Sequence, residues 1–211
     1  MAFEETLHGE SGDDQIWGGS YIATDLRAYG GSGNDDIVGG YKTQGNTFLY
    51  GNSGKDVVTS AWYRDRDGIT ANAYGNEYLF GDYKYGGDAL DKDLWGDADR
   101  IYGGYGAGSD LQFIYAGDGD DYVVGGENWY GSLIELQNGD DTVVVPQLVG
   151  LEEIPNNDGF YGLLIRGGAG DDTWRVTSYG DVDEDGSSNF YGFHFGNEGN
   201  DYIQGTHMTG L

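Results

Sequence analysis

Residues 30–38 read GGSGNDDIV, and runs of the same kind recur along the chain. In each run a glycine-rich stretch leads to an acidic residue at the sixth position. The nine acids are Asp14, Asp35, Asp56, Glu77, Asp99, Asp121, Asp141, Asp172 and Asp201. The first four are 21 residues apart, and the later intervals range from 20 to 31 residues. A repeat of this period predicts a solenoid in which each repeat forms one coil.

An apolar residue stands two positions after each acid. These residues are Ile16, Ile37, Val58, Leu79, Ile101, Val123, Val143, Trp174 and Ile203. Most are β-branched, which suits a short strand whose side chain faces a core. A second turn follows, often with Gly-Gly as at residues 18–19, and with Ser60–Ala61 or Gly81–Asp82 in two coils. Segments such as DLRAY (25–29) and NTFLY (46–50) then predict a return strand.

These patterns predict an all-β fold, a parallel β-solenoid of about nine coils with roughly 21 residues per coil. The repeats run from about residue 9 to 204, and we interpret residues 1–211 as a single domain. Insertions between the last repeats are compatible with this fold, because each coil of a solenoid contacts only its neighbours.

The composition restricts the partners. The chain has 37 acidic and 10 basic residues, a formal net charge of -27, with 41 glycines and no cysteine. Nucleic acid is an unsuitable partner, because phosphate binding needs a basic face. No apolar run is long enough to predict membrane insertion. Self-repulsion of this size opposes a compact fold unless the protein binds counter-ions.

The loops carry the ligands that a hard cation prefers. Glycines at the first and fourth loop positions allow positive φ and leave carbonyl oxygens accessible. They are Gly9, Gly12, Gly30, Gly33, Gly51, Gly54, Gly119, Gly139, Gly167, Gly170, Gly196 and Gly199. Carbonyl and carboxylate oxygens without sulfur are a calcium-type ligand set. With one ion between successive loops, nine loops allow up to about eight calcium ions.

The runs GGSGNDDIV (30–38) and GGAGDDTWR (167–175) resemble the GGxGxDxUx nonapeptide of RTX (repeats-in-toxin) β-roll proteins. The resemblance covers about residues 9 to 204, and it implies a calcium-filled parallel β-roll outside the cell. RTX coils usually have about 18 residues and a calcium loop on both edges. Here the second edge is longer, and its candidate ligands are Asp25, Asn46, Asp67, Asp88 and Asp110.

A separate acidic run, DVDEDG, contains Asp181, Asp183 and Asp185 followed by Gly186. Alternate acids before a glycine match the first half of an EF-hand calcium loop. The glutamate expected at position twelve is replaced by Gly192. The run is therefore either an isolated calcium loop or a solvated acidic insertion.

The sequence favours a protein without catalytic activity. Its three histidines lack metal or triad spacing, and no nucleophile elbow or phosphate-binding loop occurs. A polysaccharide-active enzyme is an alternative, although chance pairs of carboxylates are frequent in so acidic a chain. Tyr29, Tyr50, Tyr115 and Phe195 share one coil position and predict a structural aromatic stack. Trp62, Trp129 and Tyr130 are the candidates for contacts with glycans or a cell surface.

The terminal coils suggest a further partner, the protein itself. Terminal coils of a solenoid expose unpaired strands, and no capping motif is present near Gly9 or Leu211. We expect the loop at Gly9 to meet the loop at Gly196 of another molecule. Such a head-to-tail contact propagates as a fibre. The leading hypothesis is thus an extracellular filament or surface layer; a monomeric calcium-binding module for secretion or adhesion is the alternative.

Overall fold

The computed structural model describes residues 4–19, 22–40, 43–60, 76–82, 97–103, 112–125, 132–145, 162–176 and 191–204. In this part of the chain sixteen strands form two eight-stranded sheets in which all neighbours run parallel. Among the described residues there is no helix that could cross a membrane. The parallel β-solenoid predicted from the repeats is confirmed.

The first sheet holds the longer strands. They are β1 (Glu5–Ser11), β3 (Leu26–Ser32), β5 (Thr47–Ser53), β7 (Glu77–Phe80), β9 (Gln112–Asp118), β11 (Ser132–Asn138), β13 (Gly162–Ala169) and β15 (Tyr191–Glu198). The second sheet holds the shorter strands. They are β2 (Gln15–Trp17), β4 (Asp36–Val38), β6 (Val57–Thr59), β8 (Arg100–Tyr102), β10 (Tyr122–Val124), β12 (Thr142–Val145), β14 (Thr173–Val176) and β16 (Tyr202–Gln204). Each coil contributes one strand to each sheet.

The described residues form eight coils, whereas the spacing of the acids predicts about nine. The difference arises at Glu77, which begins β7 in the first sheet and pairs with Thr47 and Gln112. Residues 76–80, NEYLF, repeat the pattern of residues 46–50, NTFLY. They place one apolar side chain inward and aromatic side chains outward, so the segment fits the first sheet and not a loop followed by the second.

The core lies between the sheets as two apolar ladders. In the second sheet the predicted column forms, from Ile16 through Ile37, Val58, Ile101, Val123 and Val143 to Trp174, all of them buried. Leu79, which the sequence places in that column, belongs to the ladder of the first sheet with Leu49 and Ile114. Complete burial of such a side chain contributes about 1.5–3 kcal/mol.

The outer face of the first sheet carries the predicted aromatic stack. The rings of His8, Tyr29, Tyr50, Phe80 and Tyr115 follow one another with centroids 4.7–5.1 Å apart. Phe195 occupies the same column but does not join this stack, because Glu135 and Arg166 stand between it and Tyr115. Trp62, Trp129 and Tyr130 lie outside the described residues.

Candidate metal centre

The loop that joins the long strand to the short strand has the same backbone shape in seven coils. Its second and fourth positions have positive φ, between 72° and 123° at the second and between 114° and 148° at the fourth. Glycine occupies the fourth position in all seven, because side chains disfavour this left-handed conformation. The shape brings the residue at position one close to the aspartate at position six.

The sixth-position aspartates form a hydrogen-bonded ladder along one edge of the solenoid. The backbone N–H of each aspartate donates to Oδ1 of the aspartate in the next coil, at 2.8–3.1 Å. The ladder runs through Asp14, Asp35, Asp56, Asp99, Asp121, Asp141, Asp172 and Asp201. These bonds orient each carboxylate toward the interior of the loop.

The second carboxylate oxygen has no such partner. Oδ2 is buried and accepts no hydrogen bond in Asp14, Asp35, Asp56, Asp99, Asp121, Asp141 and Asp172. A buried charge without a partner is unstable, so such groups normally pair with an opposite charge or a metal. The same carboxylate oxygen is therefore without a hydrogen-bond partner at one loop position in seven coils.

Where position one is glycine, the absent side chain leaves a small space beside the aspartate Oδ2, and we call this space the cradle. A Cβ atom on Gly9 would lie 2.5 Å from the Gly30 carbonyl oxygen and 2.6 Å from Asp14 Oδ2. Gly30 faces Asp35 Oδ2 and the carbonyl oxygen of Gly51 in the same way. The space holds no side chain and is bordered by one carboxylate and one carbonyl oxygen, from adjacent coils. Hard oxygen ligands of this kind fit calcium.

Burial changes the acidity of the column. Desolvation, which is the largest effect, raises the pKa of Asp56 to about 7, of Asp121 and Asp141 to about 8, and of Asp99 to about 9. The backbone hydrogen bonds of the ladder lower these pKa values, and neighbouring carboxylates raise them again. Without a cation, the column therefore retains protons near neutral pH.

Any ion on this edge must combine few side chains with backbone oxygens. Within the described ranges, no three acidic or histidine side chains converge as a metal-binding group. The remaining ligands would therefore come from carbonyl oxygens, as the glycine-rich loop suggests. The ligand roles predicted for the sixth-position carboxylates and the loop glycines stay predictions.

Glu77 is the one predicted loop acid that the structure places elsewhere. Its carboxylate lies between the sheets, where it accepts hydrogen bonds from Ser60 Oγ at 2.7 Å and from Gln112 Nε2 at 2.6 Å. Asp99 follows Asp56 directly in the ladder. The prediction that Glu77 belongs to the loop edge is therefore wrong, because its segment forms a first-sheet strand.

The fourth loop is split by an insertion, so the repeat pattern does not identify two of its residues, Gly81 and Asp82, as part of the loop. Gly81 and Asp82, predicted to form a second turn, occupy loop positions one and two after β7. Asp97 and Asp99 occupy positions four and six before β8. The signal in the sequence is that Gly-Asp follows EYLF at 77–80, as Gly-Asn follows TFLY at 47–50.

Loops five and six differ at position one. Ala116 and Leu136 stand there in place of glycine, and both are fully buried in the apolar core. Asp121 and Asp141 keep their places in the ladder. At both positions a Cβ atom is present where Gly9 and Gly30 have none, and Gly119 and Gly139 retain the left-handed fourth position.

At the second edge, the described candidates bind backbone. Asp25 Oδ1 accepts the N–H of Asn46 at 3.0 Å, and Asn46 Oδ1 accepts the N–H of Asn76 at 3.1 Å. Asp67, Asp88 and Asp110 lie outside the described residues, as do Asp181, Asp183 and Asp185 of the acidic run. The proposed ligand roles at these positions stay predictions.

A family model for the RTX calcium-binding nonapeptide repeat matches the chain in four copies, at residues 2–20, 27–41, 113–128 and 195–206. The chain carries RTX repeats. These matches contain the loop acids Asp14, Asp35, Asp121 and Asp201. RTX repeats bind calcium and are generally structural and not catalytic. Searches of the curated proteins and of the solved structures find no match.

Proposed function

We propose that this protein is a non-enzymatic, extracellular β-roll whose fold forms when calcium fills the loop edge. The observation that carries this proposal is the column of buried Oδ2 atoms without hydrogen-bond partners. The four matches to the RTX repeat support the choice of calcium, and the typical secretion of RTX proteins supports the extracellular location.

The aspartates and the loop glycines have different roles in the proposed ion binding. The ladder holds each carboxylate by Oδ1 and leaves Oδ2 directed into the loop. Glycine at position one keeps the cradle open, and glycine at position four allows the left-handed turn. Bound calcium supplies the positive charge that offsets the repulsion between stacked carboxylates. The eight described coils leave seven spaces between neighbouring loops, one fewer than nine loops would give.

Calcium titration of protein stripped with EGTA tests this function. We expect far-ultraviolet circular dichroism at neutral pH to change from coil to β structure as calcium rises to millimolar levels. The ligand stabilises the folded state because it binds that state alone. Magnesium at the same concentration is the control, since it demands a stricter octahedral geometry. Complete β structure in EGTA at neutral pH would contradict the proposal.

We further propose that the molecules stack head to tail in the presence of calcium. In the last described coil Ile203 continues the core column of the second sheet, yet it is 45% exposed. In the described sheets β15 and β16 pair on one side only, as do β1 and β2. A second copy presenting β1 and β2 would continue both sheets and cover Ile203. Such a contact is heterologous and extends without closure.

Sedimentation velocity over a range of protein concentrations tests the stacking. We expect species that grow with concentration in calcium, and monomers for Ile203→Lys, which places a charge in the contact. Tyr202→Lys is the matched control, because Tyr202 lies on the same strand and is 59% exposed. A constant monomeric mass in calcium would instead support the alternative of a monomeric module for secretion or adhesion.

A further inference from the structure

The fourth loop differs from the other seven in its backbone as well as in its sequence. Asp82 at position two has no positive φ, whereas position two of each of the other described loops has one. The backbone at position two therefore differs from that of the neighbouring loops, while the carbonyl oxygens of Gly81 and Asp97 approach the adjacent coils as those of Gly51 and Gly12 do. Acidic side chains, Asp82 and Asp97, stand at positions two and four of this loop.

Side-chain oxygens replace backbone groups in the split loop. In other loops the N–H at position four donates to a backbone carbonyl of the next coil, as Gly33 donates to Ser53 at 2.9 Å. The N–H of Gly54 donates instead to Asp97 Oδ2, at 3.1 Å. Asp97 thus substitutes for a carbonyl oxygen and keeps the third and fourth coils connected across the insertion.

Asp82 adds a second carboxylate oxygen that no protein group satisfies. Asp82 is only 3% exposed, and its Oδ1 is buried without a hydrogen-bond partner, while Oδ2 accepts the N–H of Asp97 at 3.4 Å. Asp99, 1% exposed, has the orphaned Oδ2 found in the other loops. Oδ2 of Asp99 and the Ala116 carbonyl oxygen both border the cradle at Gly81.

The charged groups that act most strongly on Asp82 are all negative. They are Asp121, Asp97 and Asp56, and Asp82 in turn is the strongest charge acting on Asp99. Desolvation, with these neighbours, raises the pKa of both Asp82 and Asp99 to about 9. Two buried carboxylates in one loop are stabilised by a divalent cation more than by any monovalent one.

We propose that the split fourth loop holds a calcium-type cation with two carboxylates, those of Asp82 and Asp99, together with the carbonyl oxygen of Ala116. This site rests on the proposed calcium-dependent fold and adds a ligand that the repeat pattern does not contain. Calcium affinity rises with the number of anionic ligands. The site between the fourth and fifth coils is therefore the tightest on the edge and is occupied first.

Calcium binding to the full chain, stripped with EGTA, tests this site by competition with a chromophoric chelator. We expect Asp82→Asn to weaken the tightest class of sites on the order of tenfold or to remove one ion. The weaker sites keep their affinity. The matched control is Glu10→Gln, which removes a carboxylate at the same loop position where the side chain is exposed. We expect its isotherm to equal that of the unmodified protein.

A second measurement separates ligation from a packing role. Because Asn carries no charge, Asp82→Asn is expected to retain β structure in EGTA to a higher pH than the unmodified protein and to gain less stability from calcium. Equal isotherms for Asp82→Asn and Glu10→Gln would overturn the site, and so would failure of Asp82→Asn to fold in saturating calcium. If the unmodified protein binds no calcium, the proposed function fails and not only this site.

Discussion

At the scale of single residues, the loop edge depends on glycine for two separable reasons. Gly12 and Gly33 both occupy position four with φ of 114° and 127°. A Cβ atom on Gly12 would meet nothing within 4 Å, whereas one on Gly33 would overlap the carbonyl group of Gly12 in the preceding coil. The first glycine therefore relieves backbone strain alone, and the second also allows the coils to stack.

This difference predicts the effects of two alanine substitutions. Gly12→Ala is expected to lower the free energy of unfolding in saturating calcium by about 1–2 kcal/mol, the cost of a left-handed non-glycine residue. Gly33→Ala is expected to cost clearly more, because the backbone of the first coil must also move. Urea denaturation followed by circular dichroism measures both. Equal costs would show that stacking does not limit this position.

At the scale of the elements, the edge is not uniform along its length. Position one is glycine in the first four coils and in the last two described coils, but it is Ala116 and Leu136 in the fifth and sixth. The ladder of aspartate hydrogen bonds passes through these coils without interruption. Hydrogen bonding between coils and space for an ion are therefore separate properties of the loop.

We predict that Leu136→Gly increases the number of calcium ions bound by one. The substitution removes the buried side chain beside Asp141 and opens a cradle like that at Gly30. In EGTA at pH 5, where the metal-free protein is expected to be folded, the same variant is expected to be less stable by about 2–5 kcal/mol, as for other large-to-small core changes. Isothermal titration calorimetry gives the number of ions. Leu136→Ala, which keeps a Cβ atom, is the control and should not gain an ion; an unchanged number in Leu136→Gly would contradict the prediction.

At the scale of the whole molecule, the buried column of acids and the net charge of -27 both destabilise the metal-free fold as pH rises. Desolvation raises the pKa of Asp56, Asp121, Asp141 and Asp99 to values of about 7 to 9, from 3.8. At a pH above 3.8 but below these raised pKa values, the folded, metal-free protein holds protons that the unfolded chain has released. Its stability therefore falls as pH rises through this window.

The expected outcome is a metal-free protein that folds in acid and unfolds in mild base. In EGTA we expect β structure near pH 4 to 5 and its loss toward pH 8, while millimolar calcium suppresses the loss because the ion replaces the protons. Circular dichroism across pH, with and without calcium, measures this. Proton release on calcium binding at pH 7.5, seen as a dependence of the calorimetric heat on the buffer, is the second measurement. Greater stability in EGTA at pH 8 than at pH 5 would contradict the prediction.

The sequence by itself determined the parallel solenoid, the column of apolar residues from Ile16 to Trp174 and the edge on which the acids lie. These features follow from local periodicity, since a glycine loop, an acid and an inward residue two positions later occur within nine residues. The aromatic stack at Tyr29 and Tyr50 was likewise predictable, because the rings share one position in successive coils.

Only the tertiary structure decided which coil each residue joins where the repeat is irregular. Glu77 matches the 21-residue spacing, but the pairing of β7 with β5 and β9 places it between the sheets. Asp82 and Asp97 are fifteen residues apart in the chain, and the stacking of the coils brings them into one loop. Spacing along a sequence measures chain length, whereas the position of a carboxylate in a solenoid depends on which strand pairs with which neighbour.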